Sequence, residues 1–340
     1  MLSAPLALAL SLALSAAASP LSSSGDGLHI PLTRRALPMQ DEDGRFNAAI
    51  LGRNGTASEL RKRASQALQY DGAALWSGPV TLGPTTSPQT FTVYFDTGSS
   101  DLGLPSYTCT SAACAAKKTY DWRASADPDA RLTANKEIAS VWADGSQGSG
   151  KIVKTTVTAG GLTATGQDVM ALSAIASAVS DRNTDGMGLA YRTMSAGWSY
   201  AFPFTLAQQG QLPTFGLRLS PTPGQSAVTF AGYNRAKVAS TIRWMPVTIS
   251  DDSPFRTYWQ VGGSGLMVNG TLATPRDMFV FDTGSTAIIG PSDWVESFWA
   301  SVPDSRAEGD GYYSYPCVSP PTVSLSLARV TRQLHAIHPD

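Results

Sequence analysis

The chain has 340 residues, 15% of them charged and 42% hydrophobic, with 25 Lys and Arg against 26 Asp and Glu; that balance leaves no basic stripe for nucleic acid. Its three histidines stand at 29, 335 and 338, so the long stretch between the first two lacks the imidazole that a Ser-His-Asp triad, a Cys-His pair or an HExxH zinc helix needs. Three dispersed cysteines, at 109, 114 and 317, are too few for a structural zinc site, and no glycine-rich phosphate loop ending in Lys-Ser or Lys-Thr occurs.

Residues 2–18 are rich in Leu and Ala, carry no charge and end in small side chains. They predict a signal peptide over 1–18 and a secreted, extracellular product. Residues 19–63 are polar and end in Arg61, Lys62 and Arg63; they hold seven basic and five acidic residues, so +2 faces −3 in the rest of the chain. A basic propeptide lying over an acidic cleft as an intramolecular inhibitor is expected, with cleavage after Arg63 and a lock that weakens as carboxylates protonate. Downstream there is no run of 18 apolar residues, so no membrane span is expected after the signal is removed. A monomer is expected.

With 31 Gly, 22 Pro and few stretches of helical period, the remainder reads as mainly β, long enough for two lobes. Positions 76–83 and 91–95 predict paired strands, and 155–158 with 162–170 a hairpin about Gly160 and Gly161. Phe204 to Gln209 predicts a short helix stopped by Gly210. Ser292 is expected to cap a second helix whose Trp294, Val295, Phe298 and Trp299 share one apolar face. In a secreted chain Cys109 and Cys114 predict a disulfide. Of the sequons at Asn54 and Asn269, only Asn269 outlasts processing as a glycosylation site.

Two segments carry the chemistry: FTVYFDTGSS at 91–100 and MFVFDTGST at 278–286. Each is an apolar strand that runs into Asp-Thr-Gly-Ser. One such turn is an ordinary hairpin signal; two, in the halves of one chain, predict two half-sites that face each other. Glycine at 98 and 284 allows a sharp turn and a close backbone approach to the carboxylate. Donors at 98, 99, 284, 285 and 286 favour the ionised form of one aspartate. Two carboxylates about 3 Å apart cannot both ionise and titrate as a pair. One oxygen then takes a proton from water while the partner protonates a carbonyl, which is general acid-base hydrolysis of an amide.

These residues resemble the pepsin family, and more narrowly the secreted polyporopepsin-like enzymes of basidiomycete fungi. The resemblance runs from about Trp76 to Leu327 through WSGPVTLG, PQTFTVYFDTGSS, the Cys109–Cys114 loop, YWQV at 258–261 and YYSYPC at 312–317. It implies a bilobal acid protease fold, with an N-terminal lobe over 64–239, an incomplete C-terminal lobe over 240–327 and an atypical tail over 328–340. It also implies an aspartic endopeptidase acting on extended, largely apolar peptide or protein substrates, with catalytic Asp96 and Asp282 and no cofactor or metal. Thr97 and Thr283 would tie the two loops, and Ser99 and Thr286 would orient the outer carboxylate oxygens, with Gly98 and Gly284 at the turns. The flap resembles SVWADGSQGSG at 140–150, with Trp142 where the family has tyrosine and with Asp144, Gly145 and Tyr258 toward substrate. Trp142 has a donor and no acceptor, so a relay through a tyrosine hydroxyl is absent. DGMGLAY at 185–191 is one residue short of the family strand behind the first aspartate, which predicts a shifted support there. Only 58 residues follow Asp282, from 283 to 340, so the second lobe is expected to lack that strand and to leave Cys317 unpaired.

Overall fold

The computed structural model describes residues 64–334 apart from 71–74, 116, 129, 134–136, 143–144, 177–184, 239–241, 250–253, 286, 310–311 and 328–329. The expected signal peptide, the propeptide and all three histidines therefore lie outside the described residues, as do Asp144, Thr286 and most of the tail.

The described residues form a mainly β fold in two lobes, each with its own hydrophobic core. In the first lobe Trp76–Leu82 pairs antiparallel with Gln89–Asp96. The first of these strands buries alternate residues, Trp76, Gly78, Val80 and Leu82, the period-2 signature of a half-buried strand. The predicted hairpin is longer than its sequence signal. Gln147–Ala159 pairs with Leu162–Ala176 through a turn in which Gly160 and Gly161 take φ of 58° and 81°, values open to glycine and costly to other residues. Around these strands closes a core that includes Val80, Phe91, Val93, Leu104, Val157, Met187, Leu189 and Phe230. A separate three-stranded sheet joins Ala64–Ala67, Ala227–Phe230 and Phe215–Arg218.

The second lobe has its own, smaller core of Leu266, Val268, Phe298, Trp299, Val323 and Leu325 among others. Its main sheet centres on Gln260–Val268, which pairs with Thr271–Leu272, Asp277–Val280 and Val323–Leu327; Val323–Leu327 also pairs with Val330–Leu334. The helix Ser292–Ala300 buries Phe298 and Trp299 and half-buries Trp294 and Val295, giving the expected face. Its cap differs from the expectation: Pro291 holds the N-cap position and Ser292 is already helical. The other helix, Phe202–Gln208, begins two residues before the predicted start. Pro203 sits in its first turn, where a missing N–H costs nothing, and Gly210 follows at φ 90°.

Candidate active site

Both Asp-Thr-Gly turns lie where an apolar strand leaves its sheet, and they meet. Thr97 N donates to Thr283 Oγ1 at 3.1 Å and Thr283 N donates to Thr97 Oγ1 at 2.9 Å. Each hydroxyl then donates across the interface, Thr97 Oγ1 to Phe281 O and Thr283 Oγ1 to Phe95 O, both at 2.7 Å. Four crossed bonds thus fix one loop against the other. They also satisfy backbone groups that burial would otherwise leave unpaired.

This clamp brings the carboxylates face to face. A Cβ added to Gly98 would fall within the Asp282 carboxyl, and one added to Gly284 within that of Asp96; only glycine allows so close an approach. Gly98 N donates to Asp96 Oδ1 at 2.7 Å, and Gly284 N to Asp282 Oδ1 at 2.8 Å. Ser99 Oγ adds a 2.5 Å bond to Asp96 Oδ2. The fourth residue of the second motif behaves differently: Ser285 Oγ donates to Ala287 O at 2.9 Å. Counting three positions on from each aspartate pairs Ser285, rather than Thr286, with Ser99, and that count was available in the sequence. Thr286 itself lies outside the described residues.

The electrostatics separate the two acids. Desolvation by surrounding protein pushes the Asp282 carboxyl up to about 7; the neighbouring Asp96 charge and a hydrogen bond to Asp96 add to the rise, and the amides of Gly284 and Ser285 oppose it. Asp282 keeps exposed surface, so burial of its carboxyl is incomplete, and the like charge of Asp96 acts in the same direction. Each carboxyl accepts from two protein donors, but only Asp96 receives a hydroxyl, and with the proton favoured on Asp282 the pair sets an acid beside a base.

The expected hairpin is formed. Ile138–Val141 pairs with the start of Gln147–Ala159, and Trp142 N donates to Ser146 O at 2.9 Å, with Gly145 N donating back to Trp142 O at 3.0 Å. The Trp142 ring rests on Gly148, where an added Cβ would meet it at 2.9 Å. Tyr258 is beside the pair: burial raises its phenol, and the charges of Asp282 and Asp96 raise it further. Behind the first turn, Gly186–Gly188 runs parallel to Gln89–Asp96 with Gly188 opposite Asp96. Leu189 N donates to Asp96 O at 2.7 Å, and Met187 and Leu189 are fully buried. The predicted shift of this support is not found, because the short segment keeps both apolar side chains in the core.

Cys109 and Cys114 form a disulfide, and Cys317 is free and exposed. Asn269 occupies an exposed turn at φ 49°, where its Oδ1 accepts from Thr322 N at 2.9 Å. Among the described residues no group of three or more His, Cys, Asp or Glu is arranged to hold a metal ion, and no helix is long and apolar enough to cross a membrane.

The family model described as eukaryotic aspartyl protease matches residues 76–336. The chain is 33% identical to an aspartic protease of Phaffia rhodozyma over 82% of its own length and 66% of that protein. It is 30% identical to cathepsin E of Mus musculus over 71% of its length and 60% of that protein. A third similar protein, aspartic protease pepA of Leptosphaeria maculans, is 28% identical over 89% of this chain and 73% of its own. The match to the first two spans less than two thirds of their length.

Proposed function

We propose that this chain, which belongs to the eukaryotic aspartyl protease family, is a secreted endopeptidase that hydrolyses peptide bonds with a water activated between Asp96 and Asp282. The observation that carries the reading is the facing pair, each carboxyl packed on the glycine of the opposite turn and the proton favoured on Asp282. Asp96 takes a proton from the water as the water oxygen bonds to the substrate carbonyl carbon, while Asp282 gives its proton to the carbonyl oxygen. In the second step the proton on Asp96 passes to the leaving nitrogen, the C–N bond breaks, and Asp282 recovers a proton from the geminal diol. The products are an acid and an amine, and the pair returns to its starting state. Thr97 and Thr283 act as positioning residues, holding two loops to the tolerance such chemistry needs. Trp142, Gly145 and Asp144 on the hairpin and Tyr258 beside the acids are read as substrate contacts.

Acid-dependent cleavage of a denatured protein, blocked by a statine-containing peptide inhibitor, tests this reading. Asp96→Asn and Asp282→Asn are each expected to lower kcat/KM by about 10²–10⁴-fold. Peptide binding without cleavage would support the alternative of an inactive peptide-binding protein, which the sparser surroundings of Asp282 favour.

Processing belongs to the same proposal. Residues 1–18 are read as a signal peptide and 19–63 as an inhibitory propeptide, with lobes meeting near residue 239. Ala64–Ala67, directly after Arg63, pairs with Ala227–Phe230, so the residues that follow the proposed cut belong to the folded body. A secreted product whose first residue lies upstream of Ala64 would count against this division. A glycan on Asn269 would show as a mass shift removed by an amidase.

A further inference from the structure

On the threonine side of the acids a cleft of about 890 Å³ opens between the lobes. Phe215 and Leu217 wall it on one side and Trp244, Trp259 and Phe281 on the other, with Thr97 and Thr283 at the junction. Asp96, Asp282, Trp142 and Tyr258 do not line it, so it is a site apart from the carboxylate pair. Its size and its largely aromatic and aliphatic wall are those of a small-molecule site. The rim is not sealed: Trp244 is 68% exposed and Leu212 41%, apolar surface that an occupant would remove from water.

Charge is unevenly spread around this cleft. Between Asp185 and Asp251 the sequence has no acidic residue and five basic ones, and that stretch supplies most of the wall. Arg235 is the one charged residue that lines the cleft; it is exposed and lies 6.0 Å from the Tyr233 ring. Arg218 and Lys237 stand close to lining positions in the chain and both donate to Gln225 at 3.0 Å, and Arg243 adjoins Trp244. An apolar interior with a cationic rim complements an amphiphile that carries an anionic head. A peptide backbone suits the wall less well, because several of its polar groups are already paired. Gly232 N donates to Thr214 O at 2.9 Å, Thr214 N to Leu212 O at 2.8 Å, and the Thr97 and Thr283 hydroxyls to the opposite turns; added amides without partners would be costly to bury.

We infer that the cleft binds a long-chain carboxylate of the fatty-acid class, its chain against Phe215, Trp244, Trp259 and Phe281 and its carboxylate on Arg235. The planar fork of arginine matches a carboxylate. This site stands whether or not the acids hydrolyse peptides.

The test titrates dodecanoate, decanoate and uncharged 1-decanol, each below its aggregation limit, into the full chain at neutral pH, read by calorimetry and tryptophan fluorescence. Dodecanoate is expected to bind about tenfold tighter than decanoate, from two more buried methylenes. Arg235→Gln is expected to weaken both carboxylates about three- to fivefold and to leave decanol unchanged. Trp244→Ala is expected to weaken all three about fivefold. Both side chains are exposed, so the thermal midpoint of either variant is expected within about 2 °C of wild type. No binding of dodecanoate by wild type overturns the inference, and so does wild-type dodecanoate affinity in either variant. Binding to phosphatidylglycerol vesicles without binding to monomeric dodecanoate also overturns it, and would assign the patch to a membrane surface instead.

Discussion

The two Asp-Thr-Gly turns are near copies in sequence and unequal in support. Asp96 ends a strand flanked by Trp76–Leu82 on one side and Gly186–Gly188 on the other. Val93, Phe95, Leu102 and Leu104 are buried around it, and Ser99 reaches its carboxylate. Asp282 follows the strand Asp277–Val280, which pairs with Gln260–Val268; among the described residues no strand pairs its other edge. Val280 and Ile289 are 43% and 54% exposed there, and the Ser285 hydroxyl turns away to Ala287. On the threonine side of the pair, a cleft of about 890 Å³ opens between Phe215 and Leu217 of one lobe and Trp244, Trp259 and Phe281 of the other. The same short motif therefore makes the same turn in both places, while rigidity comes from the neighbouring strands.

The largest expected effect is one the two turns share. Gly98→Ala and Gly284→Ala each drive a methyl group into the opposite carboxyl, and kcat/KM should fall by about 10²-fold or more in either. A much smaller loss in one variant, measured under identical conditions, would identify a loop that can yield.

A sharper contrast comes from the glycines behind the turns. A Cβ at Gly188 would meet the backbone of Ser100 and Asp101, whereas one at Gly290 has nothing within 4 Å. Denaturant unfolding should show Gly188→Ala less stable by about 1–3 kcal/mol and Gly290→Ala changed by less than about 0.5 kcal/mol. Equal effects would abolish the distinction between the two supports.

The acids themselves give a pH signature. A folded pKa near 7 for Asp282, against 3.8 for a free side chain, means that the native state binds more protons than the unfolded one across that window. Stability attributable to this group is then complete below about 3.8 and declines as pH rises toward 7. Asp282→Asn removes the titration, so its thermal midpoint should gain on wild type progressively over this range. A difference that is flat with pH would show that the pair does not hold the proton on Asp282.

The smallest effect lies on the open side of the second turn. Ile289→Thr should change stability by no more than about 0.5 kcal/mol, whereas Leu104→Ala, at a fully buried position, should cost about 2–5 kcal/mol. A large loss at Ile289 would reveal packing on that face in solution.

Much of the architecture was legible in the residues. Alternation at 76–82, the paired glycines at 160–161 and the apolar approach to each aspartate act within a few positions, where backbone preference and side-chain period decide the outcome. Helix ends were less legible. Pro291 took the cap expected of Ser292, and Phe202 joined a helix predicted to start at Phe204, because terminal turns answer to packing as much as to local preference.

By itself the sequence determined the two turns, the residue types able to carry acid-base chemistry and the near absence of histidine that narrows the choice. Only the tertiary structure decided that Thr97 and Thr283, 186 positions apart, exchange bonds, and that the Ser99 hydroxyl reaches a carboxylate while the Ser285 hydroxyl turns to Ala287. It also decided that Asp101 bonds to Ser195 and Ala196, far along the chain. Contacts at such separations are selected by burial and by the pairing of every enclosed polar group, and neither can be read from neighbours along the chain.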